Sequence, residues 1–167
     1  MPMNDDKPFV SAAFICEKVL READSVVSAI RIVDTFYVSP ATTTPAVKPA
    51  AGLQITLFVA VRKKRPEAPP LKHELKLVLH TPSGKPPEVE NANGVVSVME
   101  DPTIPFLFVA GEPDQPASMN FVGQVIIPVQ EFGGYLFDVF LDGELTTQIP
   151  FRLLERKDGD ANPSQTQ

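Results

Sequence analysis

The chain has no tryptophan, a single cysteine and only two histidines. A lone thiol, Cys16, cannot close an internal disulfide, so the fold is not expected to depend on an oxidising compartment. No stretch approaches about 18 uninterrupted apolar residues, which excludes a helix long enough to cross a membrane. The opening residues, MPMNDDKPFV, lack the basic region and long apolar run of a secretory signal. A cytoplasmic location with no membrane contact is the resulting expectation. Excess basic charge is missing as well. At a net charge of −6, general nucleic-acid binding is disfavoured, because phosphate contacts need a concentrated basic surface. The sequence sets no oligomeric state.

Proline, in contrast, is abundant, with 18 residues. It breaks helices and is tolerated at strand edges and turns, so an all-β chain with many connections is expected. A chain of 167 residues buries roughly two thirds of its unfolded surface, enough for one core without a metal or disulfide. The reading is a flexible tail at 1–8, one domain at 9–155, and a disordered tail at 156–167.

Alternation locates the strands. Leu53, Ile55, Leu57, Val59 and Val61 point one way, with Gln54, Thr56 and Arg62 opposite. Leu75, Leu77 and Leu79 alternate with Lys72, Glu74, Lys76 and His80 in the same manner. Residues 9–20 and 26–38 read as strands around a turn at 22–25, with a single helical turn inside 17–23 as the alternative. Pro105 marks an edge strand near 103–110, and Pro128, near the end of a strand at 119–129, marks an edge or a terminus there. Residues 39–52 form a Pro/Thr/Ala-rich connection, long for an internal loop. A weak strand near 94–100 and two at 134–140 and 144–154 complete the set. Strands separated by Pro/Gly-rich turns make a sandwich or barrel.

The last two strands flank Asp142-Gly143, a favoured type I′ hairpin turn. In that register Val139 would face Thr146 and Phe137 would face Gln148, so an apolar row would meet a polar one. A slip of one residue reverses this. A three-residue loop, Leu141-Asp142-Gly143 with Gly143 left-handed, pairs Val139 with Leu145 and Tyr135 with Ile149, and is the register expected here.

The closing segment EFGGYLFDVFLDGELTTQIPFRLL resembles the final hairpin of immunoglobulin-like sandwiches. A tyrosine near that corner hydrogen-bonds back to the backbone in such domains, and Tyr135 stands where it would. The paired cysteines and core tryptophan of antibody domains are absent. The front end, AAFICEKVLREADSVVSAIRIVDTF, resembles small bacterial proteins grouped as a domain of unknown function, with Cys16-Glu17 and Ser28 to Asp34 matching their pattern. Ala29 and Arg31 depart from it, standing where Leu and Gly are usual. The resemblance implies a single immunoglobulin-like antiparallel β-sandwich of about 7–9 strands in the bacterial cytoplasm, and carries no activity or catalytic residue.

Candidate chemistry is sparse. His73 and His80 stand seven positions apart on one strand, on opposite faces, so they do not share a metal. They read as surface or strand-end residues. Cys16 ends an apolar run and reads as a buried, inert thiol. Asp138, Asp142 and Glu144 lie near one another on the last hairpin but make a poor calcium cage, and they read as a solvated face. No zinc, nucleophile or phosphate-loop motif occurs, so neither a catalytic residue nor a metal or other cofactor is assigned. The marked feature is a basic run, Arg62, Lys63, Lys64 and Arg65, on an acidic chain. Binding residues of sandwiches commonly sit on end loops. The expected function is a non-enzymatic interaction or accessory module, with these four residues contacting another, acidic protein. A carbohydrate- or small-ligand-binding sandwich using Phe140 and Leu136 is the alternative, and an enzyme the third reading.

Overall fold

A computed structural model describes residues 7–21, 27–38, 52–65, 69–90, 96–108 and 116–156. The connection expected at 39–52, apart from Gly52, and the turn at 22–25 lie outside these residues. So do the tails, apart from Lys7, Pro8 and Arg156. The regular elements of the described chain are all strands: β1 (Phe9–Arg21), β2 (Val27–Ile32), β3 (Thr35–Val38), β4 (Gly52–Lys63), β5 (Lys72–His80), β6 (Glu88–Glu90), β7 (Val96–Val98), β8 (Thr103–Leu107), β9 (Ala117–Pro128), β10 (Gly133–Leu141) and β11 (Glu144–Glu155). β1 runs through Arg21, so the helical alternative for 17–21 is not adopted.

Two sheets carry the fold, in the orders β2-β1-β4-β9 and β3-β11-β10-β5-β8, with β6 and β7 as a separate two-stranded sheet. The two faces meet through the residues that alternation placed inward. Ile55, Leu57, Val59 and Val61 of the first sheet pack with Leu75, Leu77, Leu79, Phe137 and Phe151 of the second. Phe151 anchors an aromatic cluster. It stacks on Tyr135 and Phe137, at centroid separations of 5.3 and 5.6 Å, and meets the edge of Phe36 at 6.2 Å. Pro105 and Pro128 fall on edge strands β8 and β9, where a missing N–H breaks no central ladder.

The strand expected over 26–38 is two strands in different sheets. Arg31 adopts a left-handed φ of 47°, and β2 ends at Ile32. The hand-over is direct: Val33 N donates to Ile15 O in the first sheet, and Asp34 O accepts from Arg152 N in the second. Because the chain crosses without reversing, β3 joins β11 in parallel. That is the one departure from antiparallel pairing among the described strands.

At the final hairpin, Leu141 pairs with Glu144 and Phe140 with Leu145, so the loop is the two residues Asp142-Gly143. Both have positive φ, 52° and 81°, as a type I′ turn requires. The three-residue loop is therefore incorrect. The slip that brings apolar rows together occurs one step later. Thr146 bulges, Val139 pairs with Thr147, and from there Phe137 faces Ile149 and Tyr135 faces Phe151. The Thr146 hydroxyl donates to Val139 O at 2.9 Å, which settles the bulge. Gly143 has open space where a Cβ would stand, so Gly143→Val tests backbone strain alone. It should lower stability by about 1–2 kcal/mol in denaturant titrations. An unchanged midpoint would contradict this turn.

Tyr135 is buried, and its hydroxyl donates to Glu131 O at 2.9 Å, four residues upstream. Burial pushes the phenol pKa up, with a smaller push from the Glu131 charge, against a lowering by the backbone bond. The group stays an O–H donor. This corner, the β4–β9 and β5–β10–β11 pairings and the strand that changes sheets make the fold an immunoglobulin-like β-sandwich. Beyond β9 the first sheet carries no further strand among the described residues.

Candidate functional site

Strand β4 delivers the basic run to the end of the sandwich where β4 leads into β5. Arg62 points outward and is half-buried. Its Nη1 donates to Asn120 Oδ1 at 2.9 Å and to Val61 O at 3.2 Å. Lys63 continues the alternation inward and is buried, at 7% exposure. Among the described residues no buried side-chain nitrogen or oxygen lacks a partner. Lys64 and Arg65 follow the strand and are exposed. The four predicted residues thus divide into an anchored pair and a presented pair, because the strand persists through Lys63.

Registry brings further residues to this end. Phe9 pairs with Arg62 and Ala117 with Lys63; Leu107 pairs with Lys72. Phe9, Leu71 and Leu107 are exposed at 45, 57 and 49%, and Lys72 is exposed beside them. Leu107 could have been found from the sequence, since Phe106 and Phe108 take the inward positions on either side of it. Leu71 could not. Extrapolated alternation would turn it inward with His73 and Leu75, but β5 begins one residue later.

His73 is not a surface histidine. It is buried at 6% exposure, with ring centroids of Phe106 and Phe108 at 5.5 and 5.4 Å. The Asp142 carboxylate accepts from its Nδ1 at 2.7 Å. The other carboxylate oxygen of Asp142 accepts from Glu74 N at 2.9 Å, and Asp142 N donates to Glu74 O. The turn side chain therefore extends the β5–β10 ladder by one rung past Leu141. Glu144, next to the turn, holds Lys7 at 2.9 Å.

The three hairpin acids act separately. Asp138 accepts from His80 Nε2 at 2.8 Å and from Gln148 Nε2 at 2.8 Å, on the outer face of the second sheet. Among the described residues no group of three or more His, Cys, Asp or Glu could hold a metal. Leu136 and Phe140, the residues considered for a sugar, flank Asp138 on that face and are half-buried. Cys16 is buried, and desolvation raises its pKa, opposed by a backbone bond from Lys18. It is a poor nucleophile in this setting.

The model of a family of unknown function, DUF6941, matches residues 11–154. The chain belongs to that family. The match spans the front segment that carried the resemblance to a domain of unknown function and the closing segment that resembles immunoglobulin-like sandwiches. No curated protein matches this DUF6941 domain. The crystal structure of an immunoglobulin-like protein from Pseudomonas aeruginosa is similar to it, at 12% identity and a TM-score of 0.45, over 91% of this chain and 100% of that one.

Proposed function

We propose that this chain is a non-enzymatic interaction module that binds an acidic protein partner through the β4–β5 end of its sandwich. One observation carries the reading. On a chain of net charge −6, that end gathers the exposed cations Lys64, Arg65 and Lys72 with the exposed apolar residues Leu71 and Leu107. Apolar contacts ringed by charge are the composition of a protein-binding patch. The nearby carboxylates Asp142 and Glu144 bond to His73 and Lys7. Arg62 and Lys63 hold the strand that presents them.

Reversing Lys64 and Arg65 to glutamate should change stability by less than about 0.5 kcal/mol, since exposed charges contribute little to folding. Association should suffer far more, most visibly at low salt, where opposite charges steer encounter. The measurement is capture from native lysate by wild type and double variant across a salt series, with thermal melts in parallel. A capture pattern that is identical for both proteins at every salt concentration would reject this surface. So would unfolding of the double variant, which would make the residues structural.

A further inference from the structure

The alternation along β9 turns Phe121, Gly123, Val125 and Ile127 toward the core, opposite Val59, Leu57, Ile55 and Leu53 of β4. Position 123 calls for a large apolar side chain and has none. A Cβ built there would meet no atom within 4 Å. The space is part of a crevice of about 360 Å³ between the sheets. Leu57 and Val125 wall it on one side, and Leu75, Leu77 and Ile104 on the other. It opens between β8 and β9, the edge strands of the two sheets. On the β8 side, Pro102 stands at the lining, its carbonyl accepting from Leu77 N at 3.1 Å.

Three features fix what would fit. No charged side chain lines the crevice, so the buried part of a ligand is uncharged. From Phe121 to Val125 the wall runs about 13 Å along the strand, so the space is a slot that suits an extended chain. Its volume is in the range of ligand pockets. Scaled from a 150 Å³ apolar cavity that takes benzene, it holds roughly a dozen non-hydrogen atoms. We propose that the crevice over Gly123 binds the aliphatic chain of a small amphiphile, of about ten carbons, with its polar head left in solvent between β8 and β9. This site is separate from the β4–β5 end and does not depend on it.

The probes are decanoate and decanol, which share a chain and differ in head group. Both should bind saturably, raise the melting temperature, and shift the methyl resonances of Leu57, Leu77 and Val125 while leaving those of Leu153 in place. Gly123 has no left-handed φ and has room for a side chain. Gly123→Leu should therefore fold with a melting temperature at or above wild type and bind decanoate at least tenfold more weakly. No saturable binding by wild type, methyl shifts located elsewhere, or undiminished binding by a folded Gly123→Leu would each overturn the proposal. If Gly123→Leu does not fold, the methyl shifts in wild type still decide it.

Discussion

Replacing Phe151 with alanine should lower the melting temperature by about 6–20 °C. Truncating a buried phenylalanine removes about 3–5 kcal/mol, and for a domain of this size each kcal/mol is worth about 2–4 °C. The high end is expected because the ring touches three aromatic partners on two strands: Phe36 on β3, and Tyr135 and Phe137 on β10. Those strands cannot close on the space together without breaking the β10–β11 register. The loss should also be uneven. β3 is a short edge strand that joins the second sheet by a four-residue parallel ladder, and Phe36 is its contact with the cluster. Hydrogen exchange in Phe151→Ala should accelerate at the β3 amides beyond the global change, while β5 follows the global change alone. A loss under about 1 kcal/mol, or uniform exchange, would show that the cluster does not hold β3. Phe151→Leu retains more of the volume and should fall between.

Asp142→Ala should cost about 2–5 kcal/mol. The substitution removes the acceptor for Glu74 N–H and the carboxylate that meets Nδ1 of buried His73. Stripping a partner from buried polar groups costs about 1–3 kcal/mol. Alanine at a φ of 52° adds about 1–2 kcal/mol of left-handed strain. Asp142→Asn separates the two effects. Asparagine tolerates the left-handed region and can accept from Glu74 N–H through its amide oxygen, so it should recover more than half of the loss in urea titrations. Equal destabilisation by Ala and Asn would place the whole effect on the carboxylate charge. An unaffected Asp142→Ala would mean that the turn is held by its backbone bond to Glu74 alone.

The strands were legible wherever one face is apolar and the other polar. β5 and β10 follow the alternating pattern along their length, and the corner tyrosine follows from local geometry, while Asp142-Gly143 marked the bend of the hairpin but not its two-residue length. What local pattern could not give was decided by contacts distant in sequence. The apolar run 26–38 has one continuous strand signal, yet it serves two sheets, because Val33 and Asp34 find partners in Ile15 and Arg152. The slip in the final hairpin was required by the facing side chains, but its location was not. The Thr146 hydroxyl, by bonding to Val139 O, places it in β11 and leaves the turn at two residues. His73 looked exposed because it opens a strand next to a basic loop. Its burial depends on Phe106 and Phe108 from β8 and the residue beyond it, and on an aspartate 69 positions away. At the candidate site the cations were visible as a run, but the exposed leucines came together only through the β5–β8 register.

The pairing of β3 with β11 has a consequence for how the protein is made. β11 lies inside the second sheet, between β3 and β10, and its partners Thr35 and Arg152 are about 120 positions apart. During synthesis at about 5–20 residues per second, β3 leaves the ribosome on the order of ten seconds before the strand it must join. β1, β2 and β4 can assemble in that interval, whereas β3 waits with its edge unpaired. A nascent chain stalled before β11 emerges should therefore stay open to protease at β3, and one stalled after it should not.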